Sequence, residues 1–421
     1  MKSYPDSVRF LYSLGNEIKT VKFGLETITA VLAELDHPER ACAFVHVAGT
    51  NGKGSTCAMI ESALRHAGVR TGLYTSPHLI EPTERIRIGG TQVTQAEFSH
   101  AFDAVHAASE RLIARGDIEH HPTYFETVTA MAFVLFREAR VETVVLEVGL
   151  GGRLDATNVV HPRLTVITPV DFDHETFLGK TIAAIASEKA GILKPNVPLI
   201  MGRQRAEGEQ VILARAAELH CPVTRLIDHP PSGASCFAQG NRIEWEGMEI
   251  RGALPGPHQI DNTITAALAL RELGVPDASI AEGIAEARWP GRLEFVASKP
   301  DIILDGAHNP SGARALAAYI ERFFAGRRVW MIYGTMRDKS IGEIVETLFP
   351  LASELILTRP DTPRSLDPKS LLRVAHHPRA RSCESLVAAL AIVREEASPD
   401  DVIFISGSLF LVGEARALLV K

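Results

Sequence analysis

Short runs of β-branched and other apolar residues alternate with helical patterns along almost the whole chain. In the first half, the apolar runs predict strands at 44–48, 71–75, 143–148, 164–168 and 197–201. The patterns between them predict helices at 56–66, 95–114, 124–137, 182–190 and 209–219. Strands that alternate with helices form parallel sheets covered by helices. This alternation therefore predicts a doubly wound α/β unit.

The alternation is interrupted between residues 221 and 252. Prolines and glycine at 230–233 are followed by alternating polar and apolar residues at 242–245 and by a second short run at 248–250. This order predicts a loop and an antiparallel hairpin. We expect the hairpin to extend the same sheet as the strands before it.

A second set of α/β patterns follows a turn-rich segment at 289–292. Helices are predicted before this segment at 260–273 and 278–287, and strands after it at 301–304, 328–333, 355–358 and 402–406. The 421 residues are also more than one domain of roughly 150 residues needs. We therefore expect an N-terminal domain of residues 1–294 and a smaller C-terminal α/β domain of residues 295–421.

Composition and charge exclude several classes of protein. With 46% hydrophobic and 23% charged residues, the chain has the composition of a globular protein. Its net charge of −7 provides no basic field for a nucleic-acid backbone. Its five cysteines form no C-x-x-C pair, which favours a reducing compartment over a disulfide scaffold or a zinc ribbon. Residues 1–20 have no apolar core of a secretion signal, so we expect a cytoplasmic protein.

The longest apolar run, at 127–136, has about half the length that a membrane span needs. It is followed directly by Arg137 and Glu138. It therefore predicts a buried helix, and we expect no membrane partner.

Residues 49–56 form a glycine-rich loop between a predicted strand and a predicted helix. Glycines let the backbone wrap around a phosphate, the helix start offers free N–H groups, and Lys53 adds a positive charge. The match to a strict P-loop is imperfect, because Val47 stands at the first glycine position and Gly54 follows the lysine. The order of strand, loop and helix nevertheless predicts phosphate binding.

Metal ligands are expected where neighbouring strands end. Glu147 closes the apolar strand 143–147, and a carboxylate there needs a cation, which makes it a candidate Mg²⁺ ligand. The alternative is an ion pair with a residue such as Arg153. His174 follows the strand 164–168 and reaches the same rim of the sheet, where a metal role competes with that of an ordinary loop histidine.

Lys189 lies on the apolar stripe of a predicted helix, together with Ile182, Ile185, Ala186 and Ile192. The usual alternative for such a lysine is to extend its amine to solvent. If it is buried instead, its pKa falls, and a neutral amine can react with CO₂ to form a carbamate, which is an anionic metal ligand.

Two other glycine-containing segments carry less information. The run 148–152 is not a dinucleotide fingerprint, because Leu154 occupies the last glycine position. The segment 304–310 ends a predicted strand in the second domain, where Asp305 and His308 are candidates to face the phosphate loop across a cleft. Turn chemistry alone is the alternative for this segment.

Taken in order, these segments resemble one family, the folylpolyglutamate synthase and dihydrofolate synthase branch of the Mur ligase superfamily. The resemblance covers nearly the whole chain and rests on the motifs at 49–55, 75–79, 147–158, 173–179, 187–192, 258–262, 290–292 and 305–310. It implies an N-terminal P-loop ATPase-like parallel-sheet domain, a smaller C-terminal Rossmann-like α/β domain, and an active site in the cleft between them.

The resemblance also implies the reaction and its substrates. ATP phosphorylates a carboxylate of dihydropteroate or a reduced folate, and the amino group of L-glutamate attacks the acyl phosphate. The products are an amide, ADP and phosphate, as in folate biosynthesis and one-carbon metabolism. ATP and Mg²⁺ are the implied cofactors, and we expect a monomer that binds these small molecules.

Matched by position, individual residues resemble known parts of the family's site. The implied magnesium ligands are Ser76, Glu147 and His174. The implied nucleotide contacts are Thr50, Asn51, Gly52, Lys53, Gly54, Ser55, Asn262, Arg292 and Asp305. The implied catalytic residues are Lys53, Lys189 as a carbamate, and His308. The implied pterin contacts are Thr123, Tyr124, Phe125, Glu126, Leu154, Asp155 and Ala156, with the segment 23–27 nearby.

Alternatives stay open at this point. The intact loop at Leu154 and Asp155 favours an enzyme with both activities over one that accepts only dihydropteroate or only a folate. A peptidoglycan-precursor ligase of the same superfamily is disfavoured by the pterin-loop matches. A nucleotide-binding switch without ligase chemistry would need the phosphate loop, but not His174, Lys189 or Asp305.

Overall fold

The computed structural model describes residues 3–15, 24–337 and 341–420. The chain divides into two compact units. The first comprises the residues up to Pro231 together with Trp245–Ile250 and Asp261–Glu286, and the second comprises Ser232–Glu244, Arg251–Ile260 and the residues from Ala287 onward. The α/β class expected for both parts of the chain is confirmed. The boundary expected between residues 294 and 295 stays a prediction.

The first unit is built on a sheet of eight strands within the described ranges. Their order is β4-β3-β2-β5-β1-β6-β7-β8. The strands are β1 (Ala43–Ala48), β2 (Thr71–Tyr74), β3 (Ile86–Ile88), β4 (Thr91–Gln92), β5 (Thr143–Glu147), β6 (Leu164–Ile167), β7 (Leu199–Met201) and β8 (Val223–Arg225). β1 pairs in parallel with β5 and β6, whereas β3 pairs antiparallel with β2. The five predicted strands are confirmed.

Helices cover this sheet. They are α1 (Tyr4–Ser13), α2 (Glu26–Glu34), α3 (Lys53–His66), α4 (Gln95–Arg115), α5 (Tyr124–Glu138), α6 (Glu175–Leu178), α7 (Ile182–Ala190), α8 (Ala206–Glu218), α9 (His258–Glu272) and α10 (Asp277–Glu286). The apolar run at 127–136 lies inside α5 and is buried throughout, as predicted. Within the ranges described, no helix is long and apolar enough to cross a bilayer.

The predicted hairpin is present, but its expected place in the sheet is wrong. β9 (Gly233–Phe237), β10 (Gly240–Trp245) and β11 (Met248–Gly252) form a three-stranded sheet of their own. In β10 and β11 buried and exposed residues alternate. A strand with one exposed face does not suit a parallel sheet that helices cover on both faces, so these strands form a separate antiparallel layer.

The second unit contains a six-stranded sheet in the order β12-β13-β17-β14-β15-β16. Its elements are β12 (Glu294–Ala297), β13 (Asp301–Asp305), α11 (Pro310–Phe324), β14 (Val329–Tyr333), α12 (Gly342–Leu348), β15 (Glu354–Leu357), α13 (Pro368–Val374), β16 (Ala380–Ser382), α14 (Leu386–Glu396), β17 (Val402–Ser406) and α15 (Leu409–Leu419). The pairs along β13, β17, β14, β15 and β16 are parallel, and only β12 is antiparallel. The four strands predicted for this domain are confirmed.

Candidate active site

Four parallel strands of the first unit end at one edge of the eight-stranded sheet. In the register of β1, Val47 lies opposite Glu147 of β5 and Val166 of β6. The glycine-rich loop follows β1, Ser76 follows β2, and the segment 171–174 follows β6. The topology therefore brings three separate sequence motifs to the same edge.

The glycines of the loop are needed for its conformation. Gly49 has φ +150° and Gly52 has φ +84°, a region that other residues rarely adopt. A β-carbon at Gly49 would overlap the Thr168 hydroxyl, and one at Gly52 would overlap the Asn262 side chain. The loop is thus tightly packed, and Asn262 lies beside it. Because α3 begins at Lys53, its first N–H groups are available to an anion.

Two lysine amines converge on the carbonyl oxygen of Gly49. Lys53 Nζ donates to this oxygen at 3.2 Å and to Thr50 O at 3.3 Å. Lys189 Nζ donates to the same Gly49 oxygen at 2.8 Å. The extension of Lys189 to solvent is not observed, since the residue is only 4% exposed. Burial, reinforced by the charge of Lys53, lowers the pKa of Lys189 to about 7.

The loop is fastened to the segment after β6. Thr50 N donates to Pro169 O at 2.9 Å, and the Thr50 hydroxyl donates to Asp171 O at 2.9 Å. Asp171 N donates back to that hydroxyl at 3.0 Å. Asp171 is itself held by Arg205, 2.9 Å away. These contacts fix the loop before any ligand binds.

Two of the three candidate metal ligands, Ser76 and Glu147, are in direct contact. Ser76 N donates to Glu147 Oε2 at 3.1 Å, and Glu147 is 4% exposed. The alternative partner, Arg153, donates instead to Glu188 at 3.0 and 3.1 Å. His174 has φ +52° at the start of α6, and its Nε2 lies 3.9 Å from Asp173 Oδ1. That Ser76, Glu147 and His174 are magnesium ligands stays a prediction.

Two of the four candidate pterin residues at 123–126 are used by the start of α5. The Thr123 hydroxyl accepts from Glu126 N at 3.3 Å, and the Glu126 carboxylate accepts from Thr123 N at 2.8 Å. This reciprocal pair is a capping box. The rings of Tyr124 and Phe125, which lie between these two residues in the sequence, take no part in the capping box. Tyr124 stacks on Tyr12 with centroids 5.6 Å apart, and Phe125 packs so closely on Gly149 that a β-carbon there would clash.

Asp155, the central residue of the second pterin segment, is held by backbone donors. Leu150 N donates to its Oδ2 at 2.8 Å and Thr157 N to its Oδ1 at 3.0 Å. Burial raises the pKa of Asp155, although these hydrogen bonds oppose the rise. Leu154 precedes it and is partly exposed, and Ala156 begins a short 3₁₀ helix.

His46 is connected to Asp155 through Thr157, a contact that was not expected from the sequence. His46 Nε2 lies 2.9 Å from the Thr157 hydroxyl, which in turn donates to Asp155 Oδ1. The Thr157 oxygen must therefore accept from His46 Nε2–H. Burial lowers the pKa of His46 to about 3, so its ring is neutral. A single polar residue inside the apolar strand β1 was the available signal, but its partner lies 111 residues away.

In the second unit, the candidates gather at the end of β13. Asp305 accepts from Leu293 N and Ala307 N, both at 3.0 Å. Burial raises the pKa of Asp305, and the charge of Arg292 opposes the rise. His308 Nδ1 lies 2.8 Å from Gly306 O, which assigns the proton to Nδ1. The cleft expected between this segment and the phosphate loop stays a prediction.

The segment 23–27 is described only in part. Phe23 lies outside the described residues, and Glu26 begins α2.

Comparison with known families gives two matches along the chain. Residues 47–270 match the Mur ligase middle domain, and residues 291–409 match the Mur ligase glutamate ligase domain. The first match contains the glycine-rich loop, Glu147 and Lys189. The second contains Arg292, Asp305 and His308.

Individual proteins resemble the chain over nearly its full length. A Bacillus subtilis dihydrofolate synthase/folylpolyglutamate synthase is 34% identical over 95% of this chain and 95% of its own. A Mycobacterium tuberculosis folylpolyglutamate synthase complexed with ADP and AMPPCP has a TM-score of 0.91 at 30% identity, covering 99% of both chains. An Escherichia coli FolC complexed with DHPP and ADP has a TM-score of 0.87 at 31% identity, covering 99% and 97%.

A longer relative is matched only in part. The chain spans 50% of a Haloferax volcanii protein described as a probable bifunctional folylpolyglutamate synthase/dihydropteroate synthase, with 34% identity over 98% of this chain.

Proposed function

This chain belongs to the folylpolyglutamate synthase and dihydrofolate synthase family of the Mur ligase superfamily, and from that premise we propose how its residues carry out the reaction. The activity is ATP-dependent ligation of L-glutamate to a pteroate or folate carboxylate through an acyl phosphate. One observation carries the assignment of residues. Loop 49–55, Ser76 and Glu147 follow or end adjacent parallel strands, as a phosphoryl-transfer site requires.

The chemical problem is that a carboxylate is a poor electrophile. Transfer of the γ-phosphoryl group of ATP to one carboxylate oxygen turns that oxygen into a leaving group. The amino group of glutamate then attacks the carbonyl carbon, and the tetrahedral intermediate collapses to an amide and phosphate. In this proposal Lys53 and the N–H groups at the start of α3 stabilise the charge on the transferring phosphoryl group.

We propose that Ser76, Glu147 and His174 hold magnesium. The fit rests on Glu147, a carboxylate buried at the strand end and in contact with Ser76 N. A hydroxyl and a carboxylate are oxygen donors, which Mg²⁺ prefers, whereas an imidazole is the less usual member of the set. When bound, the ion neutralises charge on the β- and γ-phosphates of ATP.

Lys189 is proposed to act as its carbamate. At a pKa of about 7, a large share of its amines is neutral near physiological pH. The neutral nitrogen attacks CO₂ and loses a proton, which converts the amine into an anion. The buried position beside the phosphate loop then carries negative charge that can face a metal ion.

Asn262, Arg292 and Asp305 are proposed to contact the nucleotide, and His308 the reacting phosphate. Asn262 is supported by its packing against Gly52 of the loop. The positive charge of Arg292 acts on the Asp305 carboxyl and opposes the rise in its pKa. His308 is supported by its hydrogen bond to Gly306 O, which orients the ring at the end of β13.

The acceptor is proposed to bind along residues 123–126 and 154–156. Within the first segment the partly exposed ring of Phe125 is proposed as the contact surface for a pterin, with the buried ring of Tyr124 beneath this segment, because Thr123 and Glu126 cap α5. In the second segment Asp155 supplies a carboxylate for hydrogen bonds. The intact second segment favours a bifunctional enzyme that accepts both dihydropteroate and a reduced folate.

The test is an acceptor assay with ATP and labelled L-glutamate. Purified protein is supplied with dihydropteroate or with tetrahydrofolate, and labelled product is separated and counted. Incorporation into both supports the bifunctional proposal, and incorporation into one alone refutes it. If neither acceptor is labelled while ATP is still hydrolysed, the assignment of substrates is wrong. A monomeric state and a cytoplasmic location stay predictions.

A further inference from the structure

Three metal-ligating side chains converge outside the residues discussed so far. His106 and Glu110 lie one turn apart on α4, and His121 lies in the segment that precedes α5. His121 Nε2 is 3.0 Å from Glu110 Oε1, and His106 Nε2 is 3.8 Å from the same oxygen. One ligand atom from each residue lies within 4.8 Å of the other two.

These separations suit a small cation held in the middle of the three atoms. In a tetrahedral zinc site the metal–ligand distances are about 2.0–2.2 Å, so ligand atoms lie roughly 3.3 Å apart. The observed spacings of 3.0 and 3.8 Å bracket this value. The Glu110 side chain is 57% exposed, so its carboxylate can rotate to adjust both of these spacings.

The two imidazoles are held in place by aromatic packing. The ring of Phe10 lies 4.7 Å from that of His106 and 5.3 Å from that of His121, measured between centroids. Phe102 stacks on His106 with the ring centroids 5.4 Å apart. The histidine side chains are 19% and 25% exposed, respectively. Little side-chain freedom therefore has to be lost when an ion binds.

We propose that His106, Glu110 and His121 bind a divalent transition-metal ion of the zinc class. Two imidazole nitrogens and one carboxylate oxygen favour Zn²⁺, Ni²⁺ or Co²⁺ over Mg²⁺, which prefers oxygen ligands alone. Water completes the coordination on the exposed side of Glu110. The ion links α4 to the segment that leads into α5, two residues before its cap at Thr123.

Binding at this site stabilises the folded protein, because the three ligands are brought together only by folding. The segment that the ion fixes also leads to the rings of Tyr124 and Phe125. This site is distinct from the proposed magnesium site in both its residues and its ligand chemistry. Its existence does not depend on the proposed function.

The experiment uses the full chain with Glu147→Gln, so that the proposed active-site metal set lacks its carboxylate. After chelator treatment and without ATP, Zn²⁺ is titrated calorimetrically, and the melting temperature is measured with and without Zn²⁺. We expect one Zn²⁺ per chain, a higher melting temperature, and at least a tenfold loss of affinity on adding His121→Ala. Co²⁺ is expected to give the visible absorption of a nitrogen-containing site.

The matched control is His100→Ala, which removes a surface histidine whose Nε2 is 3.2 Å from Glu138. This control is expected to leave Zn²⁺ affinity unchanged. Glu110→Gln provides a second test at an exposed position, where folding is not at risk, and is also expected to weaken binding. Absence of binding in the Glu147→Gln protein, or equal affinity in the His121→Ala and His100→Ala proteins, would overturn the proposal.

Discussion

The phosphate-loop region and the proposed pterin region differ in how much of their polar chemistry is already used by the fold. In the first, Lys53 and Lys189 place two amines on one carbonyl oxygen, and Glu147 is buried at a strand end. In the second, Thr123 and Glu126 satisfy each other as a helix cap. Motif residues of the first region are thus poised for a ligand, whereas half of those at 123–126 serve the fold.

The difference teaches that sequence motifs mix two kinds of residue. A buried amine with a lowered pKa is costly for folding, and such groups cluster at functional sites. A capping box contributes to stability in any protein. Substitutions in the phosphate-loop region should therefore mainly reduce turnover, whereas substitutions at the capping residues should mainly reduce stability.

The largest effect is expected from Lys53→Ala. Removing the cation from the phosphate loop deprives the transferring phosphoryl group of charge stabilisation, so we expect kcat to fall on the order of 10³-fold. Glutamate incorporation under saturating ATP measures it. Lys369→Ala, at an exposed lysine of the second unit, is the control and should retain full activity. Near-normal turnover in Lys53→Ala would refute the role of this lysine.

Lys189→Ala is expected to reduce turnover on the order of 10²-fold, because the anion proposed at this position is lost. Short carboxylic acids such as acetate should restore part of the activity by occupying the cavity with a carboxylate. The measurement is kcat as a function of acetate concentration, in parallel for Lys53→Ala. If acetate restores activity to neither variant, the proposal that Lys189 acts as a carbamate is contradicted.

Lys189 should also make stability depend on pH. Its folded pKa is about 7 against 10.5 for the ordinary side chain, so the unfolded chain binds more protons between these values. Stability is therefore lost as pH falls from 10.5 to 7, with no further loss below. Lys189→Met removes this loss. The free energy of unfolding of Lys189→Met minus that of wild type should therefore be about 2–3 kcal/mol larger at pH 7 than at pH 9.

Denaturant unfolding at the two pH values, in CO₂-free buffer, measures this linkage. Lys369→Met serves as the exposed control and should show the same stability change at both pH values. A difference for Lys189→Met that does not vary with pH would mean that the amine is solvated in the folded protein.

In the pterin region, Asp155→Asn is expected to raise KM for the acceptor about tenfold. A neutral amide replaces a carboxylate, and a hydrogen bond to a charged group contributes roughly 1.5–3 kcal/mol. KM for ATP should stay the same, which distinguishes acceptor binding from general damage. An increase in both KM values would indicate that Asp155 supports the fold and does not bind the acceptor.

The smallest effect on activity is expected from Thr123→Ala. Loss of the cap should lower the free energy of unfolding by about 1 kcal/mol and leave kcat within about twofold of wild type. Thermal unfolding and the acceptor assay measure the two quantities. A tenfold loss of kcat with unchanged stability would contradict the comparison, since Thr123 would then serve the substrate.

Local patterns predicted the phosphate region well. Gly49 and Gly52 need positive φ, and the order of β1, loop and α3 is continuous in sequence, so the loop could be recognised directly. Lys189 stood out because a lysine on an apolar stripe conflicts with burial. Both signals lie within short continuous segments of the sequence and require no knowledge of distant partners.

Distant contacts account for what the sequence did not predict. The alternation at 242–250 indicated a hairpin, but not that its strands form a separate sheet with β9. His46 was missed because only folding brings it to Thr157 and Asp155. The edge strands β12 and β16 have four and three residues, too few for a clear period.

The central claim is that the edge of the eight-stranded sheet transfers a phosphoryl group from ATP to the acceptor carboxylate. The direct measurement uses an acceptor whose carboxylate is labelled with ¹⁸O, together with ATP and L-glutamate, and determines the isotope content of the released phosphate. Attack of glutamate on an acyl phosphate predicts one ¹⁸O atom in each phosphate. Amide formation accompanied by phosphate without ¹⁸O would contradict the account.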